Sequence, residues 1–259
     1  MNIDAYLRRI DYQGAREPSA ATLRALQLAH LRAVPFENLS IHSSEPIVLE
    51  DAALFEKVVL RRRGGFCYEL NGIFAALLRA LGFEVEMLSA AVAKAQGEFT
   101  PEFAHMTLIV TLDQRWLVDV GFGDSFREPL LLDFKGEQSQ GERSYELVPA
   151  GNHRVLMQRD NGGCWVPQYR FTLQPYNYAD YAAMCRYQET SPESHFTQKR
   201  ICTRTTAEGR ITLSEMRLIT SIFGQEREEQ VLCTEEEYAA ALREHFGIVI
   251  ANWPVRVPS

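Results

Sequence analysis

The sequence predicts an α+β fold in which a helical N-terminal part, a strand-rich centre and a mixed C-terminal part follow one another. Three observations lead to this prediction. Apolar residues recur at helical spacing as far as Gly82. Short β-branched and alternating runs, separated by turn signals, begin near Glu84 and continue to about residue 173. Beyond residue 190, strand-like runs are followed by one capped helix.

The N-terminal part is predicted to contain four helices. Asp4 can cap a short first helix, Ser19 opens a longer second one, and Pro35 prevents that helix from continuing. Apolar residues at helical spacing after Cys67 define the fourth helix, and Gly82 stands where its C-terminus is expected. The predicted ranges are 4–10, 19–33, 51–62 and 67–81.

The central part is predicted to form a small antiparallel barrel or sandwich. Its strand-forming runs are short and regularly spaced, and turn signals such as Asp160-Asn161-Gly162-Gly163 separate them. A helix is predicted to follow at 178–187. The predicted strands are 85–92, 106–112, 116–120, 145–148, 155–158 and 165–173.

The C-terminal part is predicted to combine a small sheet with one helix. Thr234 followed by Glu237 forms a capping-box pattern, which predicts the start of the helix. Gly247 follows the last apolar position of that helix and marks its end. The predicted strands are 200–205, 211–213, 218–223 and 229–233.

The composition is that of an ordinary globular protein, with 46% hydrophobic and 24% charged residues. The net charge of −7 argues against general nucleic-acid binding, which usually requires a basic face. No apolar run approaches the roughly 20 residues that span a bilayer, and no secretory signal is visible. Five scattered cysteines without a C-x-x-C pair suit a reducing compartment. We therefore expect a cytoplasmic monomer or homodimer with no nucleic-acid or membrane partner.

The strongest candidate for chemistry is Cys67, which follows Gly64-Gly65-Phe66 and precedes a helix-forming run. Glycines allow a sharp turn and a close backbone approach, so the cysteine falls in the first turn of a helix. Free N–H groups and the macrodipole favour a thiolate there, and the thiolate is the nucleophilic form. The alternative is a packing role, because free cysteine is among the most buried residue types.

A nucleophilic thiol needs a base, and the base needs an orienting group. His105 lies where a polar loop becomes a strand, and Asp119 is flanked by valines in the next strand, where an unpaired acid is costly to bury. If residues 113–115 form the hairpin loop, Asp119 faces Ile109, and its offset from His105 is on the order of 13 Å. A satisfied histidine at the strand edge is the alternative, because the spacing alone does not bring His105 and Asp119 together.

Six segments together resemble the arylamine N-acetyltransferase family over nearly the full chain. These segments are Tyr6-Leu-Arg-Arg-Ile10, His30-Leu-Arg-Ala-Val-Pro-Phe-Glu-Asn-Leu39, Arg63-Gly-Gly-Phe-Cys67, Ala104-His-Met106, Val118-Asp-Val-Gly-Phe-Gly123 and Thr190-Ser-Pro-Glu-Ser-His-Phe196. The resemblance implies a helical bundle, an antiparallel β-barrel and an α/β lid around a cysteine-protease-like core. The implied limits of these parts are 1–82, 83–190 and 191–259.

The same resemblance implies an enzyme of xenobiotic metabolism with a Cys67, His105 and Asp119 triad and no metal. Acetyl-CoA would acetylate the cysteine, and an arylamine, arylhydrazine or N-hydroxyarylamine would accept the acetyl group. The implied CoA contacts are Gly123, Ser125 and Tyr187, and the implied acceptor contacts are Phe36, Phe122 and Phe196. Glu37 and Arg63 are expected to form an ion pair that braces the cysteine loop.

Other functions remain open from the residues themselves. The same three side chains could serve a papain-like or transglutaminase-like thiol hydrolase, or an amide synthase. They could also bind a metal, or Cys67 could be a redox-sensing thiol. Segment 91–101 is short of the aromatic residues that shape the acceptor pocket in some relatives, which affects the expected acceptor preference.

Overall fold

The predicted α+β fold is confirmed by a computed structural model that describes residues 1–250. The helices are α1 (Ile3–Arg9), α2 (Ala20–Ala33), α3 (Leu39–His42), α4 (Asp51–Phe55), α5 (Cys67–Ala80), α6 (Tyr178–Thr190), α7 (His195–Gln198) and α8 (Glu235–Ala241). Turns of π-helix extend α4 and α8, over Glu56–Leu60 and Leu242–Phe246, and a 3₁₀ turn covers Ala95–Gly97.

The strands form two antiparallel sheets. They are β1 (Phe36–Glu37), β2 (Glu84–Val92), β3 (His105–Thr111), β4 (Arg115–Val118), β5 (Leu130–Leu131), β6 (Gln138–Gln140), β7 (Arg143–Ala150), β8 (His153–Asp160), β9 (Val166–Tyr176), β10 (Ile201–Thr205), β11 (Gly209–Ser214), β12 (Arg217–Ile222) and β13 (Glu228–Val231). The larger sheet has the order β5-β4-β3-β2-β9-β8-β7-β6, and the smaller one has the order β1-β10-β11-β12-β13.

The larger sheet curls into a nearly closed barrel. Its two edge strands meet through Gln138 of β6, whose side chain donates to the Leu131 carbonyl and accepts from the Leu131 N–H of β5. A separate apolar core that includes Leu117, Leu156 and Phe171 fills the interior. The barrel therefore closes by a side-chain bridge around a packed centre.

The helical part begins at caps that differ partly from the prediction. Asn2, and not Asp4, caps α1, because its side chain accepts from the Ala5 N–H. Ser19 caps α2 as predicted and accepts from the Thr22 N–H. The predicted helix 51–62 is observed as α4 followed by its π turn.

Helix α5 lies at the centre of the molecule. Every residue from Cys67 to Leu78 is buried, and the helix packs against α4, α6, β2 and β3. The helix ends at Ala80, and Gly82 follows with a φ of +92° that favours glycine. Its N-terminus therefore presents the cysteine between the helices and the barrel.

The smaller sheet joins distant parts of the sequence. β1 lies in the helical part, yet it pairs with β10, so that Phe36 stands opposite Thr203. Tyr238 and Phe246 of the last helical segment lie in the core beneath this sheet. The three-part division into 1–82, 83–190 and 191–259 stays a prediction, and residues 251–259 lie outside the described part. None of the helices in 1–250 has the length and apolar character needed to cross a membrane.

Candidate active site

A rigid loop leads into the cysteine. The Arg63 guanidinium binds both carboxylate oxygens of buried Glu37, with Nε–Oε1 at 3.0 Å and Nη2–Oε2 at 3.1 Å. A Cβ on Gly64 would lie 2.0 Å from the Pro35 carbonyl oxygen, so only glycine fits there. The expected brace between Glu37 and Arg63 is therefore present in the structure and fixes the start of the loop.

Glu69 fixes the other end of this loop, at the first turn of α5. Its carboxylate accepts from the Phe66 N–H at 3.1 Å and pairs with the Lys57 ammonium at 2.6 Å. A Cβ on Gly65 would lie 2.6 Å from the same carboxylate, which explains the second glycine. The backbone before Cys67 is thus held by two buried ion pairs.

Cys67 is only 3% exposed, and its Sγ lies 4.0 Å from the Ala104 carbonyl oxygen. Burial raises the pKa of the thiol above its ordinary value, although the backbone N–H groups of Met106 and Tyr68 act in the opposite direction. The first-turn N–H of Tyr68 lowers this pKa in the expected direction, but the loss of hydration outweighs it and the net shift is upward. Ionisation of Cys67 needs a neighbouring group that takes its proton.

His105 and Asp119 form a short, buried hydrogen bond. His105 Nε2 lies 2.6 Å from Asp119 Oδ2, and both residues are 2% exposed. Burial acts to raise the pKa of Asp119, but His105 and hydrogen bonds from Asn71 and the Gly121 N–H outweigh it and lower that pKa. Asp119 is therefore an ionised carboxylate that orients the imidazole ring.

The strand register explains how the two residues meet. Leu108 faces Val118, so that continuation of the ladder places Asp119 beside Thr107 and not beside Ile109, as the sequence analysis assumed. Thr107 and His105 face the same side of β3, and their offset of two residues is only roughly 7 Å. The corrected register and the end of β4 at Val118 allow direct contact.

Asn71 is part of this site, although the sequence analysis did not single it out. Its Nδ2 donates to Asp119 Oδ1 at 2.9 Å and to the Met106 carbonyl at 2.6 Å, and its Oδ1 accepts from the Val120 N–H at 2.9 Å. It stands four residues after Cys67, on the same face of α5. The sequence does contain a signal for this role, because Asn71 is a polar residue on the apolar face of the predicted helix.

A cavity of about 870 Å³ opens onto Cys67 and His105. Four other residues predicted for the site line it, namely Phe36, Phe122, Tyr187 and Phe196. Gly123 and Ser125 do not line it; with Asp119 they border a much smaller cavity behind Phe122.

The wall of this cavity is largely apolar. The Phe122 ring lies 5.1 Å from the His105 ring, and the Phe196 ring lies 6.2 Å from the Phe36 ring. From segment 91–101, Val92, Ala93, Lys94, Thr100 and Pro101 also line the cavity, and none of them is aromatic. The aromatic surface therefore comes from β1, α6, α7 and the loop after Asp119. Within residues 1–250, no group of three or more His, Cys, Asp or Glu side chains is arranged to hold a metal ion.

Known sequences match almost the whole chain. A profile of the N-acetyltransferase family matches residues 19–254. The arylamine N-acetyltransferase of Escherichia coli strain K12 is 32% identical over 249 residues, which cover 95% of this chain and 88% of that protein. The arylamine N-acetyltransferase of Mycolicibacterium smegmatis is 39% identical over 203 residues, which cover 76% and 74% of the two chains.

Solved structures of the same kind superpose closely. Mycobacterium marinum arylamine N-acetyltransferase in complex with CoA is 32% identical, with a TM-score of 0.87 over 95% of this chain and 93% of that one. The Salmonella typhimurium arylamine N-acetyltransferase is 30% identical, with a TM-score of 0.89 over 99% and 94%. Identity at this level over nearly complete chains shows common family membership. The chain therefore belongs to the arylamine N-acetyltransferase family.

Proposed function

We propose that this enzyme transfers an acetyl group from acetyl-CoA to an aromatic amine, hydrazine or N-hydroxyarylamine through an acetyl-Cys67 intermediate. The observation on which the proposal rests is that His105, oriented by Asp119, lines the same cavity as Cys67. A nucleophile, a base and an orienting acid are the parts that covalent acyl transfer needs.

In the first half-reaction, His105 accepts the proton of the Cys67 thiol, and Asp119 stabilises the imidazolium that results. The sulfur attacks the thioester carbonyl, and the bond between that carbonyl and the sulfur of CoA breaks. His105 returns its proton to the departing CoA thiolate. Transient proton transfer resolves the difficulty of the buried thiol, because no stable isolated thiolate is needed.

In the second half-reaction, the nitrogen of the acceptor attacks the acetyl carbon on Cys67. His105 removes one proton from that nitrogen, and the Cys67 sulfur leaves and recovers a proton. An aromatic amine is mostly uncharged at neutral pH, so its lone pair is available. The base therefore acts only after the new bond begins to form.

The cavity wall supports an aromatic acceptor. We propose that Phe36, Phe122 and Phe196 contact its ring, because offset or edge-to-face ring contacts stabilise such complexes. The volume of about 870 Å³ also has room for the pantetheine arm of CoA, and Tyr187 at the same cavity is its proposed contact. Gly123 and Ser125, the other proposed CoA contacts, belong to the loop that carries Phe122.

Mass spectrometry after incubation with acetyl-CoA alone tests the proposal. We expect one added acetyl group, located on Cys67 in a peptide digest, and one equivalent of CoA released. Addition of an arylamine should remove the label and give the acetylated amine. The Cys67→Ala variant should keep the fold, measured by circular dichroism, and lose transfer completely.

Three outcomes would contradict the mechanism. They are an acetyl group on another residue, appreciable turnover by Cys67→Ala, and release of the label as free acetate in the presence of amine. The last result favours the thiol hydrolase. Cys185→Ala is the matched control, because Cys185 is also buried but does not line the cavity, and this variant should be acetylated normally.

A further inference from the structure

The chain makes a strained turn directly before the strand that carries His105. Phe103, two residues before His105, has a φ of +65°, which lies in the left-handed region that favours glycine. A bulky aromatic residue is rare in this region, and such a conformation persists only where the surrounding structure holds it. Strand β3 begins at His105, so this turn sets the point at which the proposed base enters the sheet.

Phe103 is held in this conformation at both of its backbone polar groups. Its N–H donates to the hydroxyl of buried Ser89 on β2 at 2.7 Å, and its carbonyl accepts from the Tyr68 hydroxyl at 2.7 Å. Its ring packs edge-on against the rings of Tyr176 and Tyr181, with centroids 4.8 and 5.4 Å away. The turn is therefore fixed by a hydrogen bond on each side and by two aromatic contacts.

The hydrogen bond from Tyr68 lies next to the reacting groups, because Tyr68 directly follows Cys67 on α5. It joins the helix of the nucleophile to the turn that leads into the base. The Ala104 carbonyl oxygen, in the same turn, lies 4.0 Å from Cys67 Sγ. The start of α5 and the start of β3 are thus tied together beside the thiol.

The Tyr68 side chain is suited to holding this turn. It is completely buried, and the Phe66 ring packs edge-on against it with the centroids 4.9 Å apart. Burial raises the pKa of the Tyr68 hydroxyl well above its ordinary value, so the hydroxyl keeps its proton at neutral pH and remains a donor. Tyr68 does not line the cavity of the candidate active site, so it acts on the reaction through the backbone of residue 103.

We propose that Tyr68 is a positioning residue for acetyl transfer, because its hydroxyl holds Phe103 in the left-handed conformation and thereby keeps His105 in place beside Cys67. The inference rests on the proposed function, in which His105 takes the proton of the Cys67 thiol. Burial opposes ionisation of that thiol, so the reaction depends on the placement of the base. Misplacement of such a group by about 1 Å costs on the order of a hundredfold in rate.

The Tyr68→Phe variant tests the proposal, because it removes only the hydroxyl. We expect the single-turnover rate of Cys67 acetylation by acetyl-CoA to fall about tenfold or more. Ser89→Ala, which removes the other hydrogen bond of Phe103, should also slow this step. The matched control is Tyr181→Phe, which should keep the wild-type rate. Tyr181 is also buried and its ring also contacts Phe103, but its hydroxyl has no hydrogen-bond partner within residues 1–250.

Alkylation of Cys67 by iodoacetamide separates positioning of the base from a general loosening of the fold. Its rate as a function of pH, measured by mass spectrometry of the Cys67 peptide, reports how readily the thiol loses its proton. If Tyr68→Phe displaces His105, alkylation should be slower at neutral pH, and the midpoint of the pH profile should move upward. If the hydroxyl only supported the fold, its loss would expose the buried thiol, and alkylation would be faster.

Acetylation at the wild-type rate, or unchanged or faster alkylation, in Tyr68→Phe would overturn the proposal. An equal loss of rate in Tyr181→Phe would do the same, because the effect would then not depend on the hydrogen bond to Phe103. Ser89→Ala provides the same test if Tyr68→Phe does not fold. Absence of acetylation on Cys67 of the wild type would instead contradict the proposed function. Alkylation needs no acetyl-CoA, so it would still test whether Tyr68 positions His105.

Discussion

Asn71 helps His105 and the Gly121 N–H to keep the acid of the candidate triad ionised. Its amide holds Asp119 from α5, while the Gly121 N–H holds the same carboxylate oxygen from the following loop. The carboxylate is fully buried, so it stays ionised only because these donors and His105 surround it. The orientation of the imidazole therefore depends on a residue that touches neither substrate.

We predict that Asn71→Ala slows acetylation of Cys67 and shifts the acid limb of the pH–rate profile of this reaction to higher pH. Loss of the amide donor removes one of the interactions that lower the pKa of Asp119, so this pKa rises. Three buried partners also lose a hydrogen bond, which costs roughly 1–3 kcal/mol of stability for each orphaned group. The measurement is the single-turnover acetylation rate between pH 4 and pH 8, with the unfolding free energy determined in parallel.

The control for this prediction is Gln27→Leu. Gln27 is also a buried amide, but its side chain has no hydrogen-bond partner in the described residues. The pH–rate profile of Cys67 acetylation in Gln27→Leu should match that of the wild type. An unchanged acid limb in Asn71→Ala would show that Asn71 only supports the fold.

His30 gives a separate prediction about stability and pH. It is fully buried, and its Nδ1 lies 2.9 Å from the Tyr6 hydroxyl. Burial, assisted by Arg9, lowers the pKa of His30 to about 3. The unfolded state therefore binds a proton below pH 6.5 that the folded state does not bind, and stability falls as pH falls from about 6.5 towards 3.

Between pH 7.5 and 5.5 this effect amounts to about 1.4 kcal/mol of unfolding free energy. Urea denaturation at the two pH values measures it, in the wild type and in His30→Gln. The wild type should lose about this much more stability than the variant, because all other titrating groups are common to both. Equal losses of unfolding free energy would mean that His30 binds a proton in the folded state as readily as in the unfolded state.

At the scale of elements, the sequence predicted most strands and helices but missed three of the four edge strands, since only β13 was among the predicted strands. β1, β5 and β6 contain two or three residues each, which is too short for a periodic pattern. The partner of β1, β10, is also distant in the chain, whereas β5 and β6 pair with their sequence neighbours β4 and β7. The pairing of such short strands depends on tertiary packing, which local sequence patterns do not indicate.

Contacts within the candidate site were also beyond what local sequence patterns could predict. Cys67, His105 and Asp119 could be singled out by residue type and local context, but their contact depends on a register that differs by two residues from the simplest hairpin. Asn71 escaped notice because its partners come from β3 and from the loop after β4. Tyr169 also escaped notice, because it belongs to the distant strand β9. The centroid of its ring lies 5.1 Å from that of the His105 ring.

At the scale of the whole molecule, the cavity lies where all parts of the chain meet. Phe36 and Cys67 come from the helical part, His105 and Phe122 from the barrel, and Phe196 from α7. Chemistry at the cysteine therefore requires these parts to keep their relative positions. β1 contributes to this, because it joins the helical part to the smaller sheet.

Asn38, directly after β1, makes that connection with its side chain. Its Nδ2 donates to the carbonyls of Phe196 and Lys199 at 2.9 and 2.7 Å, and its Oδ1 accepts from the Ile201 N–H at 2.9 Å. A single amide thus fixes both ends of the segment from α7 to β10. Because the Phe196 ring lines the cavity, this amide also sets the position of the proposed acceptor wall.

We predict that Asn38→Ala lowers the unfolding free energy by roughly 3 kcal/mol, about 1 kcal/mol for each lost hydrogen bond. Amide hydrogen exchange should accelerate locally at residues 196–203, and the KM for an arylamine should rise while acetylation of Cys67 by acetyl-CoA changes little. Asn152→Ala, at an exposed turn between β7 and β8, is the matched control and should alter none of these quantities. Unchanged exchange at 196–203 in Asn38→Ala would show that sheet pairing alone holds the segment, and acceptor binding would then not depend on Asn38.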